Sequence, residues 1–173
     1  MEEAVFYKSE GATVYMKATG HVTALVCPPL KAAVFRRLDS EPGVEEVYLD
    51  LTDCEYMDST FLGLIVGTQK RFSLLSVRAR GSKGRIVLLG VNETCKGLLR
   101  TIGVLGMIET AETLRSFPGD LERLSGEAPA SARFLLEAHE ELVDLSAENR
   151  KRFSVLASVL KKAADAEESK EKD

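Results

Sequence analysis

Residues 85–89, Arg-Ile-Val-Leu-Leu, place four large aliphatic side chains in a row. A strand without polar alternation is expected at the centre of a sheet that is covered on both faces. Gly90 and Asn92 end the run, and Asn92 stands where it would cap a helix carrying Cys95, Leu98 and Leu99. A buried strand feeding a helix is one repeat of an α/β arrangement, and the remaining elements can be fitted around it.

Two apolar periods recur around this strand. Val14, Met16 and Ala18 share a face, as do Val22, Ala24 and Val26, which predicts two antiparallel strands turning near Gly20. After Pro28-Pro29 the spacing becomes that of a helix, with Leu30, Val34 and Leu38, and the turn formers from Ser40 to Gly43 end it. Residues 45–52 alternate again, with Val47, Leu49 and Leu51 on one side, and Leu62, Ile65, Val66 and Phe72 then mark a longer helix. Residues 104–108 are expected as a short edge strand and residues 109–117 as a last short helix. The order predicts an α/β domain over residues 1–118, a mixed β-sheet with packed helices.

From Gly119 the composition shifts, and residues 119–130 read as a connector. Beyond it Phe134, Ala138, Leu142 and Leu145, then Phe153, Leu156, Leu160 and Ala164, recur at three and four. They predict a C-terminal pair of amphipathic helices over residues 131–164, with Ser146 capping the second. Such stripes need a surface, which the sheet domain, a second copy in a homodimer or another protein would supply. Glu148, Arg150, Lys151 and Arg152 read as a solvated face. Residues 165–173 hold no apolar residue larger than Ala and are expected to form a disordered tail.

Composition narrows the functions. The chain of 173 residues is sized for one core with an added element. No apolar run approaches the roughly 20 residues of a membrane helix, and the acidic start MEEAVFYKSE has no secretory pattern, so a cytoplasmic location is expected. A net charge of −4 gives no basis for gripping a phosphate backbone, and no direct nucleic-acid partner is expected. Cys27, Cys54 and Cys95 lack a C-x-x-C pattern and read as buried free thiols; His21 and His139 stand alone. No metal, no cofactor and no catalytic activity are expected.

The stretch Cys-Glu-Tyr-Met-Asp-Ser-Thr-Phe-Leu-Gly, residues 54–63, puts an acid and two hydroxyls where an extended segment gives way to a helix. The first N–H groups of a helix lack partners, and Asp58, Ser59 or Thr60 could each accept from one for about 1 kcal/mol. On spacing alone the triplet is a cap.

A wider pattern adds to that reading. Residues 48–71, YLDLTDCEYMDSTFLGLIVGTQKR, resemble the central segment of the STAS domain of bacterial anti-sigma factor antagonists. That family reads roughly Asp-Leu-Ser/Thr, a few residues, then Met/Ile-Asp-Ser-Ser/Thr-Gly-Leu-Gly. The likeness extends in weaker form over residues 3–117. It implies a STAS-like sheet and a partner switch: an anti-sigma factor that is also a serine kinase binds the unmodified protein, phosphorylates the serine after the aspartate and is released. By that match the acceptor is Ser59, with Thr60 as the secondary acceptor. Asp58, Ser59, Thr60, Phe61 and Gly63 would meet the partner, and a phosphatase would reverse the switch.

Phosphate adds about −1.5 to −2 charges at a helix end suited to hold them. Facing that charge would cost a partner about 2–5 kcal/mol, or on the order of 30-fold to several thousand-fold in affinity. Phe61 departs from the family, which has Gly there; it is expected either to alter which partner docks or to pack under the adjacent loop or the C-terminal helices. The alternative is a phosphorylation-independent STAS scaffold or transporter-associated interaction module. Gly63 and Gly67, four apart, would allow close packing against a strand. Arg78, Arg80, Lys83 and Arg85 form a basic cluster, read as a solvated loop without P-loop spacing.

Overall fold

The computed structural model describes residues 1–40, 42–78, 84–114, 116–126 and 128–172 and, for residues 76–78, the backbone alone. In chain order the elements are β1 (Ala4–Glu10), β2 (Thr13–Val22), α1 (Cys27–Leu38), β3 (Glu46–Asp50), β4 (Cys54–Met57), α2 (Ser59–Arg78), β5 (Arg85–Leu89) and α3 (Glu93–Ile102). They are followed by β6 (Glu109–Ala111), β7 (Glu122–Leu124), α4 (Ala132–Val143) and α5 (Ala147–Lys170). The strands form one mixed sheet in the order β6-β5-β3-β2-β1-β7, with β4 also paired to β2. Strands β1–β2 and β1–β7 are antiparallel, and the other pairs are parallel.

Strand β5 divides its side chains between the two faces of the sheet. Ile86 and Leu88 enter the main core beneath the helices. Val87 and Leu89 join Tyr48, Tyr15, Leu114 and Phe117 on the opposite face, where the Phe117 ring meets Tyr15 edge-on at 5.5 Å. Helix α3 begins as expected, with the Asn92 side chain accepting from the Cys95 N–H at 2.9 Å. Cys27, Cys54 and Cys95 are free and buried, and burial, followed by the nearby Asp58 carboxylate, pushes the Cys27 thiol up. A maleimide, which needs a thiolate, is expected to modify the three at least about 100-fold more slowly in the folded protein than in denaturant; mass spectrometry of the adducts reads the rates.

Several sequence expectations change. The hairpin lies one strand earlier, since β1 pairs with β2 from Ala4↔Thr19 to Glu10↔Thr13, and Gly20 is not its turn. Strand β2 instead runs straight through Gly20, whose φ of +69° and the Met1 carbonyl, 2.5 Å from where a Cβ would sit, both require glycine. A register shift there separates two pairings: the first half of β2 lies beside β3, the second beside β4. Residues 104–108 are not a strand; β6 comes next, and the described residues of 112–117 are not helical. The expected connector contributes β7 to the sheet edge. Helix α5 continues to Lys170 through most of the expected disordered tail, because Glu167 accepts from the Ala132 N–H at 3.1 Å and Glu168 from Arg133 Nε at 3.1 Å. No helix among the described residues is long and apolar enough to cross a membrane.

Candidate functional site

The shift at Gly20 sets up the tip of the domain. It carries β4 along the end of β2, Asp58 N–H donates to the Val22 carbonyl at 3.0 Å, and α2 starts at the next residue. Asp58 is the cap: Oδ1 accepts from the Phe61 N–H at 2.9 Å, and Oδ2 accepts from the Ala24 N–H at 2.9 Å. The carboxylate therefore joins the helix start to the loop after β2, and both oxygens are used. Leu25 in that loop and Tyr56 before Asp58 stay exposed, at 63% and 40%.

The three residues after Asp58 face different surroundings. Ser59 is half-buried, whereas Thr60 is 3% exposed and Phe61 has no exposed surface. Phe61 points into the core, where it lines a small void with Met16, Leu30, Val34, Leu49 and Ile86. The ring packs against α1 and the sheet rather than at the surface, so in this conformation neither Phe61 nor Thr60 offers a face to a partner. Gly63 and Gly67 admit close packing, but against α4 rather than a strand. A Cβ at Gly63 would lie 2.1 Å from the Ala138 carbonyl oxygen, and one at Gly67 would lie 3.5 Å from Glu141 Cγ.

Helix α4 thus covers the start of α2. Ser59 Oγ lies 2.8 Å from His139 Nε2, and His139 Nδ1 lies 2.7 Å from the Leu135 carbonyl. A carbonyl only accepts, so Nδ1 carries a proton; when Nε2 carries none, it accepts from the serine hydroxyl. His139 is 3% exposed. Ion pairs flank the crossing, Lys31 to Glu137 at 2.8 Å and Lys70 to Glu141 at 2.6 Å. At the far end the Asn149 side chain, 1% exposed, donates to the Ile102 carbonyl at 2.9 Å and fixes the start of α5 on α3. Of the three surfaces open to the C-terminal stripes, the sheet domain takes Leu142 and Phe153 into the main core, while Leu156 of the expected stripe is 40% exposed. On α5 the outward Val155 and Val159 remain exposed.

Sequence reasoning did not connect Ser59 with His139, because the two are 80 positions apart and no motif spans them. The pair has the hydrogen bond of a nucleophile and base, but neither residue lines the open cleft beside α4. Among the described residues no group of three or more His, Cys, Asp or Glu side chains is placed to hold a metal. Of the basic cluster, Arg80, Lys83 and the Arg78 side chain lie outside the described residues. Arg85 is paired with Glu46 at 2.8 Å and Glu109 at 3.4 Å.

A mixed sheet whose main helix starts at an acid-capped, hydroxyl-bearing tip defines an α/β domain of the STAS type. Residues 5–109 match the family model described as "Mlab, STAS domain", and the chain belongs to the STAS-domain family. Helices α4 and α5 lie beyond the matched residues. A crystal structure of TM1081 from Thermotoga maritima, a candidate anti-sigma factor antagonist, is similar in fold, with 24% identity and a TM-score of 0.51 over 62% of this chain and 86% of that one. The unphosphorylated anti-sigma factor antagonist SpoIIAA has 17% identity over 63% of this chain and 89% of that one, at a TM-score of 0.49. Phosphorylated SpoIIAA, a Bacillus cell fate determinant, has 19% identity over 61% and 90%, at 0.47. Comparison with curated proteins gave no match.

Proposed function

We propose that the chain is a regulator of the anti-sigma factor antagonist type, a non-catalytic protein of the bacterial cytoplasm that controls transcription by exchanging partners. An anti-sigma factor or related serine kinase docks at the tip formed by Leu25, Tyr56, Asp58 and Ser59, and transfer of the ATP γ-phosphoryl group to Ser59 Oγ, with ADP leaving, drives it off. A phosphatase resets the site. The observation carrying this reading is the position of Ser59: it is the first residue of α2 and the only hydroxyl of the Asp58-Ser59-Thr60 triplet not enclosed by the core. A phosphate on it would meet the open N–H groups of the first turn and the positive end of the helix, so the fold tolerates the charge that a partner does not.

A second reading, a phosphorylation-independent scaffold, is favoured by the bond from Ser59 to His139 and by the fit of α4 over Gly63. Affinity for the partner isolated from native extract separates the two. Under the switch, Ser59→Ala binds like the wild type and Ser59→Asp binds at least about 30-fold more weakly. Equal affinities for the two variants would leave the scaffold.

A further inference from the structure

We infer that the α4–α5 hairpin, which lies beyond the matched STAS residues, is a detachable cover that gates access to Ser59. This deepens the switch reading, since the covered face is the one carrying Ser59.

Three observations support detachment. First, a hairpin that leaves as a unit needs ties of its own, and this one has them. Ser131 and Ser146 cap its helices, at 3.1 Å to Phe134 N and 3.1 Å to Asn149 N, and Glu167 and Glu168 of α5 reach back to Ala132 and Arg133 of α4. Second, the seam is incompletely filled. An open cleft of about 470 Å³ runs between α4 and the α1–α2 pair, lined by Lys31, Phe35, Gly67, Lys70, Leu74 and Phe134 among others. Segments with solvated contacts open at lower cost than the core.

Third, the rim of this seam, outside the buried Leu136, Ala138 and Leu142, is polar and solvent-touched. Lys31 pairs with Glu137 and lies 5.1 Å from the centre of the Phe134 ring, and Lys70 pairs with Glu141. The cations belong to the STAS domain and the acids to the cover. Partly exposed pairs of this kind are individually weak and are reversed by charge exchange. While the cover is shut, the half-buried Ser59 has its Oγ hydrogen-bonded to a 3% exposed imidazole, so lifting α4 frees the oxygen and widens the approach to it.

The test uses the full chain with Ser59→Cys and N-ethylmaleimide, read residue by residue by mass spectrometry. Cys27, Cys54 and Cys95, buried in the core, act as internal clocks for global unfolding. Position 59 is expected to react at least about tenfold faster than these three, because opening the cover costs less than unfolding the domain. Adding Lys31→Glu with Lys70→Glu should speed position 59 by about tenfold while leaving the core thiols slow, and adding Glu137→Lys with Glu141→Lys should restore the original rate. Gly63→Ala, which puts a methyl group against the Ala138 carbonyl, should open the cover sterically. Reaction of position 59 at the pace of the core thiols, or at a rate that charge reversal leaves unchanged, would overturn the inference. A failed partner switch would show in the Ser59→Ala and Ser59→Asp affinities alone, with the thiol rates unchanged.

Discussion

Phe61→Ala lowers the unfolding free energy by about 3–5 kcal/mol in urea titrations, the range for emptying a buried aromatic site. The ring has no exposed surface and sits among Met16, Leu30, Val34, Leu49 and Ile86, between α2, α1 and the sheet. Helix propensity offsets little of this, since Ala exceeds Phe by less than about 0.7 kcal/mol. Phe61→Leu, closer in volume, is expected to lose about 1.5 kcal/mol or less. A residue that served only to meet a partner would behave differently, since exposed substitutions stay within about 0.5 kcal/mol. A near-neutral Phe61→Ala would therefore place the ring outside the core. The departure from the family's Gly is then explained by packing: the side chain turns inward and leaves the proposed docking tip to its neighbours.

Asp58→Ala is the second large effect, a loss of about 2–4 kcal/mol in the same titration. One carboxylate accepts from Phe61 N at the helix start and from Ala24 N in the loop after β2. Removing it leaves both N–H groups part-buried without an acceptor, and hydrogen bonds to charged groups are worth about 1.5–3 kcal/mol each, less when counted together. Asp58→Asn keeps an oxygen for one of the two and should lose about half as much. The loss is expected to fall locally, so hydrogen exchange should quicken first at Phe61 and Ala24 and later in β3 and β5. Unchanged protection at Ala24 would show that the loop does not depend on the bridge.

Most of the sheet was legible because burial leaves a direct trace in sequence. The run at 85–89 predicted a doubly covered strand, and the two faces of β5 meet separate clusters. Asn92 and Ser146 were readable as caps because their chemistry is local. The errors came where one signal serves two structures. A glycine between two alternating segments reads as a hairpin turn, yet at Gly20 its backbone freedom absorbs a bulge within a single strand that has two successive neighbours. Residues 104–108 form a short apolar run that reads as an edge strand, but Val104 and Ile108 are buried at a turn. The acidic tail looked disordered because its composition offers no core, whereas its order comes from ion pairs and hydrogen bonds to α4 that only the folded hairpin creates.

The site was half legible. Asp58-Ser59-Thr60 announced a helix start, and the family pattern singled out the serine. Burial then separated Ser59 from Thr60 and Phe61, a distinction that adjacent residues in a helix acquire only from what packs around them. His139 carried no usable signal: a lone histidine on an amphipathic helix is indistinguishable from a core residue until the helix is docked.

Where Gly63 lies beneath Ala138, the space for a side chain is filled by a neighbour's backbone. Such a junction works like a keyed seat on one side, because α4 cannot slide by a turn toward the start of α2 without meeting the Ser59 side chain where Gly63 now leaves room. Ordinary amphipathic hairpins tolerate shifts in either direction, but this seat is closed toward the start of α2. A foreign helix pair of similar polarity would fail to settle there unless it also brought a bare stretch of main chain to that point, which shields the chain from casual capping by unrelated helices.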